Sequence, residues 1–304
     1  MLRRSFLFTP ALLAQIRVEV SLVNVPFTVR DSNGAWITDL NPSDFEVFED
    51  GIPQKISFFS RAADSPLTIA ILADTSGSQD DFIRDHRRDI RHFLSTVMTP
   101  RDQSLLVCFS DTIRLVSPPG KQPDKLDEDL KSYQKRRNIK DYPRLGEKEI
   151  YENASAVYDG IVETARYLGS LTGRRAIILL SDGEDNTSAR NLYDAVEALQ
   201  EFGVTLFSLR YSELRKNTWS ARNKYGRATM TRLSLESGGL DFDASASDDL
   251  RNEFRLIATM LRATYDLAYT SSESERDGVF RKIRIRAKRP GLTTRHKTGY
   301  YARP

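Results

Sequence analysis

The stretch Leu67-Thr-Ile-Ala-Ile-Leu-Ala-Asp-Thr-Ser-Gly-Ser78 decides the reading of this chain. An apolar, β-type run ends in Asp74, and Ser76 and Ser78 follow at alternate positions before an amphipathic helical pattern begins. One carboxylate and two hydroxyls are thereby concentrated on a tight turn at the carboxyl end of a strand. Open α/β sheets place ligand sites in that crevice. Hard divalent cations such as Mg²⁺ prefer such oxygen donors.

Two later stretches have related chemistry. Asn153-Ala-Ser-Ala-Val-Tyr-Asp-Gly160 opens a helical pattern, and Ala176-Ile-Ile-Leu-Leu-Ser-Asp-Gly-Glu-Asp185 is a second apolar strand, ending in Asp182 and Gly183. In this order the three stretches resemble the loops of the metal-ion-dependent adhesion site of von Willebrand factor type A (VWA) domains. The resemblance covers roughly residues 66–263. It implies a doubly wound, mostly parallel α/β sheet. It also implies a Mg²⁺ (or Mn²⁺) site formed by Asp74, Ser76, Ser78, Ser155 and Asp182, with an open position for an Asp or Glu of a partner protein. The family usually carries Thr where this chain has Ser155, so the hydroxyl is kept and the β-methyl lost. Outside that region, Phe45-Glu-Val-Phe-Glu-Asp-Gly-Ile-Pro-Gln54 and Gly299-Tyr-Tyr-Ala302 are similar to segments of secreted, VWFA-related bacterial proteins.

Read singly, each ligand has a plainer role. Asp74, Ser78 and Ser155 are favoured helix caps, and Asp182-Gly183 is an ordinary turn. Only their order, each at the proper end of its element, argues for a shared site.

The flanks read as β structure. Val18, Val20, Leu22, Val25, Phe27 and Val29 sit at strand-like spacings, Asp31-Ser-Asn-Gly34 and Asp50-Gly51 are turn signals, and Trp36-Ile37, Phe45–Phe48 and Ile56–Phe59 supply further strands. Residues 264–302 again read as strands, from Tyr265 to Thr270, Val279 to Ala287 and Arg295 to Tyr301. Neither set buries both its faces alone. The economical architecture is a β-sandwich built from both ends of the chain, residues 16–62 and 264–304, with the α/β part inserted between them.

Helical stripes run through Ile83, Ile90, Phe93, Leu94 and Val97, through Leu192, Val196 and Leu199, and through Leu250, Phe254, Ile257 and Leu261. Thr205–Arg210 is a further strand. Two irregular stretches, 134–153 and 212–228 with Trp219 and Tyr225, read as long loops that either carry recognition or are insertions.

The 304 residues accommodate one medium and one smaller domain. With 29% charged and 39% apolar residues the composition is that of a folded soluble protein, not a disordered one. A net charge of +3 gives no electrostatic case for nucleic acid, and the clusters Lys135-Arg-Arg137 and Arg210–Arg232 read as solvated surface. The single cysteine, Cys108, lies in an apolar strand, which excludes an intrachain disulfide and points to a buried thiol. His86 and His92 fall on the charged part of a helix and His296 in a basic strand, with no zinc-like spacing.

Residues 1–15 read as an export signal, since Arg3-Arg4 precedes the short apolar run Phe6–Ala14, and this predicts a secreted or periplasmic protein. No other run is long enough to span a membrane. Catalysis is not expected. An aspartic protease loop needs Gly soon after its Asp, haloacid-dehalogenase chemistry needs a carboxylate at Ser76, and no Gly-x-Ser-x-Gly elbow occurs. The remaining alternative is a structural VWA scaffold with a vestigial metal site.

Overall fold

The run from Leu67 to Asp74 forms β5, and all eight of its side chains are buried. In a strand successive side chains point to opposite faces, so burial throughout requires helices on both sides. Both are present. Ile69, Ile71 and Ala73 join a core with helices α1 (Ile83–Val97), α2 (Pro123–Lys135) and α6 (Arg251–Arg262). Ala70 and Leu72 join a second core with α3 (Val157–Gly169), α4 (Leu192–Glu201) and α5 (Ala221–Glu236). The computed structural model describes residues 22–61, 65–135, 139–146, 155–212, 221–246, 249–273, 275 and 277–302. The expected export signal, Asn153 and Trp219 lie outside them.

The central sheet contains β5, β6 (Gln103–Phe109), β7 (Ile113–Gly120), β8 (Arg174–Ser181), β9 (Val204–Arg210) and β10 (Asp241–Asp243), in the order β10-β9-β8-β5-β6-β7. Every pairing is parallel except β6 with β7, which is an antiparallel edge. The expected doubly wound, mostly parallel α/β sheet is therefore present, and strand order reverses beside β5, where such folds place their sites.

Two four-stranded antiparallel sheets flank it. One has the order β13-β1-β11-β4 and the other β14-β12-β2-β3. β1 (Leu22–Arg30), β2 (Phe45–Glu49), β3 (Ile52–Gln54) and β4 (Ile56–Arg61) precede the α/β part. β11 (Tyr265–Thr270), β12 (Phe280–Ala287), β13 (Thr293–His296) and β14 (Gly299–Tyr301) follow it. Phe27, Phe45, Phe59 and Tyr265 form one aromatic cluster between the two sheets, with Phe27 and Phe45 edge-on at 5.0 Å. Each sheet mixes strands from both ends of the chain, as the sandwich reading requires. The turn at Asp50-Gly51 also forms, with both residues at positive φ.

Three features differ from the sequence reading. Residues 221–236 within and beyond the second irregular stretch are helical. Trp36 makes only an isolated bridge to Arg30. His86 is 1% exposed, with its ring edge-on to Tyr211 at 4.3 Å, because positions 86, 90, 93 and 97 share one helical face. Cys108 is buried as expected, and burial pushes its thiol well above the usual range. Among the described residues no helix is long and apolar enough to cross a membrane.

Candidate metal centre

β5 and β8 are adjacent and parallel, with Ala73 paired to Leu180. Their next residues, Asp74 and Ser181, therefore stand side by side at the carboxyl edge of the sheet. The Ser181 hydroxyl donates to Asp74 Oδ2 at 2.7 Å, and the Ser155 hydroxyl donates to the same oxygen at 3.2 Å. Asp74 Oδ1 accepts the Ser76 backbone N–H at 2.9 Å, which closes the tight turn. From that turn Ser76 Oγ lies 3.2 Å from Ser78 Oγ, and the Ser78 hydroxyl donates to Asp182 Oδ2 at 2.8 Å. All five residues named from the sequence are thus brought to one edge by three separate loops.

The capping alternatives are not used. The short 3-10 helix after β5 has Ser76 at its N-cap with no side-chain cap bond. The N-cap of α3 is Ala156, again without one. The hydroxyls of Ser78 and Ser155 are turned to carboxylates instead. Asp182 does serve its own turn, since Oδ1 accepts the Glu184 N–H at 2.9 Å.

The loops are held from behind. Asn186 accepts the Ser155 N–H at 2.8 Å through Oδ1 and donates its own N–H to the Ser155 carbonyl at 3.1 Å. Thr75 donates its N–H and its hydroxyl to the Phe109 carbonyl. Gly183 has φ +78 and packs against α5 at Gly226, where a β-carbon would lie 2.4 Å from the Asp182 carbonyl oxygen. Only glycine permits that approach.

Sequence reading missed Ser181, Gln79 and Asn186. Ser181 was detectable, because aligning the ends of two adjacent strands places it beside Asp74. Gln79 donates Nε2 to Asp182 Oδ2 at 3.1 Å and to the Tyr211 carbonyl at 3.3 Å, and no local pattern marks that role.

The electrostatics are unbalanced. Asp74 is fully buried, and its carboxyl is pushed up to about 6, first by burial and then by the charge of Asp182. Among the described residues no Lys, Arg or His forms an ion pair with either carboxylate. Buried charges are ordinarily paired or coordinated to a metal. No group of three His, Cys, Asp or Glu side chains is placed to hold a metal among the described residues, so any cation here relies on two carboxylates completed by hydroxyls.

That donor set fits Mg²⁺ on two counts. All donors are oxygen, which a hard dication favours. Neighbouring ligands of an octahedral Mg²⁺ lie roughly 2.9 Å apart, given bonds of about 2.0–2.1 Å at right angles. The Ser155–Asp74, Ser76–Ser78 and Ser78–Asp182 separations of 3.2, 3.2 and 2.8 Å lie close to this spacing.

The topology, a mostly parallel central sheet with flanking antiparallel sheets, is consistent with a VWA-like α/β fold. No protein-family model matches the chain, and no curated protein does. Solved structures similar to it include an aerotolerance-related membrane protein from Bacteroides fragilis NCTC 9343, at 15% identity over 64% of this chain and 98% of that one, with a TM-score of 0.47. The conserved hypothetical protein BatB from Bacteroides thetaiotaomicron is 14% identical over 64% and 97% of the two chains, with a TM-score of 0.45. The vWF domain of the type V pili tip protein Mfa5 from Porphyromonas gingivalis is 16% identical over 40% and 39%, with a TM-score of 0.29.

Proposed function

We propose that this chain is a divalent-cation-dependent protein-binding module, with Asp74, Ser76, Ser78, Ser155 and Asp182 as the cradle for Mg²⁺ or Mn²⁺. The observation that carries the reading is the pair of carboxylates, Asp74 and Asp182, brought together without a basic partner among the described residues and surrounded by hydroxyls. Two carboxylates neutralise a dication only formally. When bound, the ion supplies a Lewis-acid position at the sheet edge that a partner's Asp or Glu can take. The chain's own residues hold the oxygens in register, through the Asp74 and Asp182 turns and the Asn186 clamp on the Ser155 loop. Among the described residues no acid–base pair or nucleophile joins them, and the reading proposed is binding.

A second reading, a structural scaffold with a vestigial site, is favoured by Gln79. Its amide already donates to Asp182 Oδ2 alongside Ser78 and satisfies that oxygen without an ion. The experiment that separates the two is capture of proteins from the source cell envelope by the immobilised chain, in Mg²⁺ and in EDTA, followed by repetition with the Asp74→Ala chain. Capture lost in EDTA and in the variant supports the binding module. Capture indifferent to both supports the scaffold.

A further inference from the structure

At the opposite end of the central sheet a cavity of about 260 Å³ lies where the sandwich meets the α/β part. Arg174 and Arg175 reach it from the start of β8, the strand whose far end carries Ser181. Arg295 of β13 and Asp266 of β11 line it from the sandwich. Among the described residues of the lining, three guanidinium groups face one carboxylate, which leaves two positive charges unmatched there.

The bonding of these groups is incomplete. Arg174 is 7% exposed, and its Nε stands 3.3 Å from Asp266 Oδ2 without the geometry of a hydrogen bond. Among the described residues its Nη1 also lacks a hydrogen-bond partner, as do the buried hydroxyls of Ser60 and Thr28, which line the same space. Arg175 donates to the carbonyls of Leu171 and Phe202, and Arg295 to those of Gly238 and Gly239. Neither has a carboxylate within ion-pair distance among the described residues. Burial lowers the affinity of all three guanidiniums for their protons, and Asp266 opposes this at Arg174 and Arg175. Unpaired buried donors are costly, and an anionic oxygen acceptor relieves several at once.

Asn24, Ser65, Thr205 and Thr264 add further polar groups, and the remaining wall is apolar. Phe27, Phe207 and Leu261 are buried, whereas Phe58 is 51% exposed, so the cavity grades from the core toward solvent. Small-molecule sites combine an apolar wall with polar groups that fix the orientation of the ligand, and both are present here. The volume restricts the occupant to a compact molecule.

We propose that this cavity binds a small organic anion, with a carboxylate or phosphate group at Arg174, Arg175 and Arg295 and an apolar body against Phe58 and Phe207. Guanidinium forks suit either head group. The site is independent of the metal reading, because it uses no residue of that edge.

The test is calorimetric titration of the whole chain in EDTA with benzoate, phenyl phosphate and inorganic phosphate. Saturable binding of benzoate or phenyl phosphate is expected, tighter than that of inorganic phosphate by tenfold or more and lowered at least tenfold by Arg295→Gln. Phe58→Ala, at an exposed position that leaves the fold intact, weakens the organic probe and spares inorganic phosphate. Asp74→Ala leaves all three unchanged. Failure of the unmodified chain to bind either organic probe overturns the proposal, as does an affinity indifferent to both Arg295→Gln and Phe58→Ala. Whichever organic probe binds tighter identifies the head group.

Discussion

The Ser78 hydroxyl donates to Asp182 Oδ2 across 2.8 Å, although the two residues stand 104 positions apart in the chain. Parallel pairing of β5 with β8 makes the contact unavoidable, since both strands release their loops at the same edge. The same geometry forces the Asp74 and Asp182 charges together, and the charge of one raises the carboxyl of the other. A fold that stabilises itself by this contact alone gains nothing from the second negative charge.

Asp182→Asn separates a ligand role from a structural one. Without metal, the variant relieves the repulsion with Asp74 but turns one acceptor oxygen into an N–H₂ donor, so its melting temperature is expected to change little. With Mg²⁺ at a hundredfold excess over its dissociation constant, the parent chain gains about 2.7 kcal/mol. The variant is expected to lose most of that gain. Thermal melts with and without MgCl₂ read both effects, and a full Mg²⁺ shift in the variant would remove Asp182 from the cradle.

Gly226→Ala tests the support of the third loop. The new β-carbon would lie 2.4 Å from the Asp182 carbonyl oxygen, a backbone atom with little freedom to move. Overpacking of this kind costs about 1–3 kcal/mol, and Mg²⁺ affinity is expected to fall with it. Gly120→Ala, whose β-carbon meets nothing nearer than 3.8 Å, serves as the control in urea unfolding.

Ser155→Thr restores the residue that the VWA resemblance implies at this position. Mg²⁺ affinity is expected to hold or increase, since the hydroxyl that donates to Asp74 Oδ2 is kept. A marked loss of affinity would show that the Ser155 loop is wrongly assigned.

His86 predicts the acid response. Burial holds its imidazole down to about 3, against 6.5 when solvated, and neither ring nitrogen has a hydrogen-bond partner among the described residues. A group depressed in the folded state takes up its proton on unfolding. Its contribution is therefore complete above pH 6.5 and is lost progressively as pH falls toward 3, on the order of 5 kcal/mol over the whole window. His86→Leu is expected to flatten stability between pH 6.5 and 4, as followed by urea midpoints. An unchanged slope would place the acid sensitivity elsewhere.

Legibility in the sequence followed the physics of each segment. The unbroken apolar run of β5 announces burial on both faces, and the turn chemistry of Asp74 to Ser78 follows directly from it. α5 was hidden because, among its described side chains, Gly226, Thr229 and Ser234 share the buried surface with only Met230 and Leu233. Small polar residues packed against a sheet leave no apolar stripe. His86 misled for the opposite reason, since charged neighbours on both sides mask its place on the buried face of α1. Within the site, sequence named the oxygens at strand ends, whereas Gln79 acts through the path of a short helix that no residue pattern encodes.

Calorimetric titration of Mg²⁺ into the unmodified chain and into Asp74→Ala, both at pH 7.5, tests the central claim most directly. The account predicts one ion per unmodified chain and no measurable binding by the variant. Equal stoichiometry in the two chains, or none in either, would contradict it.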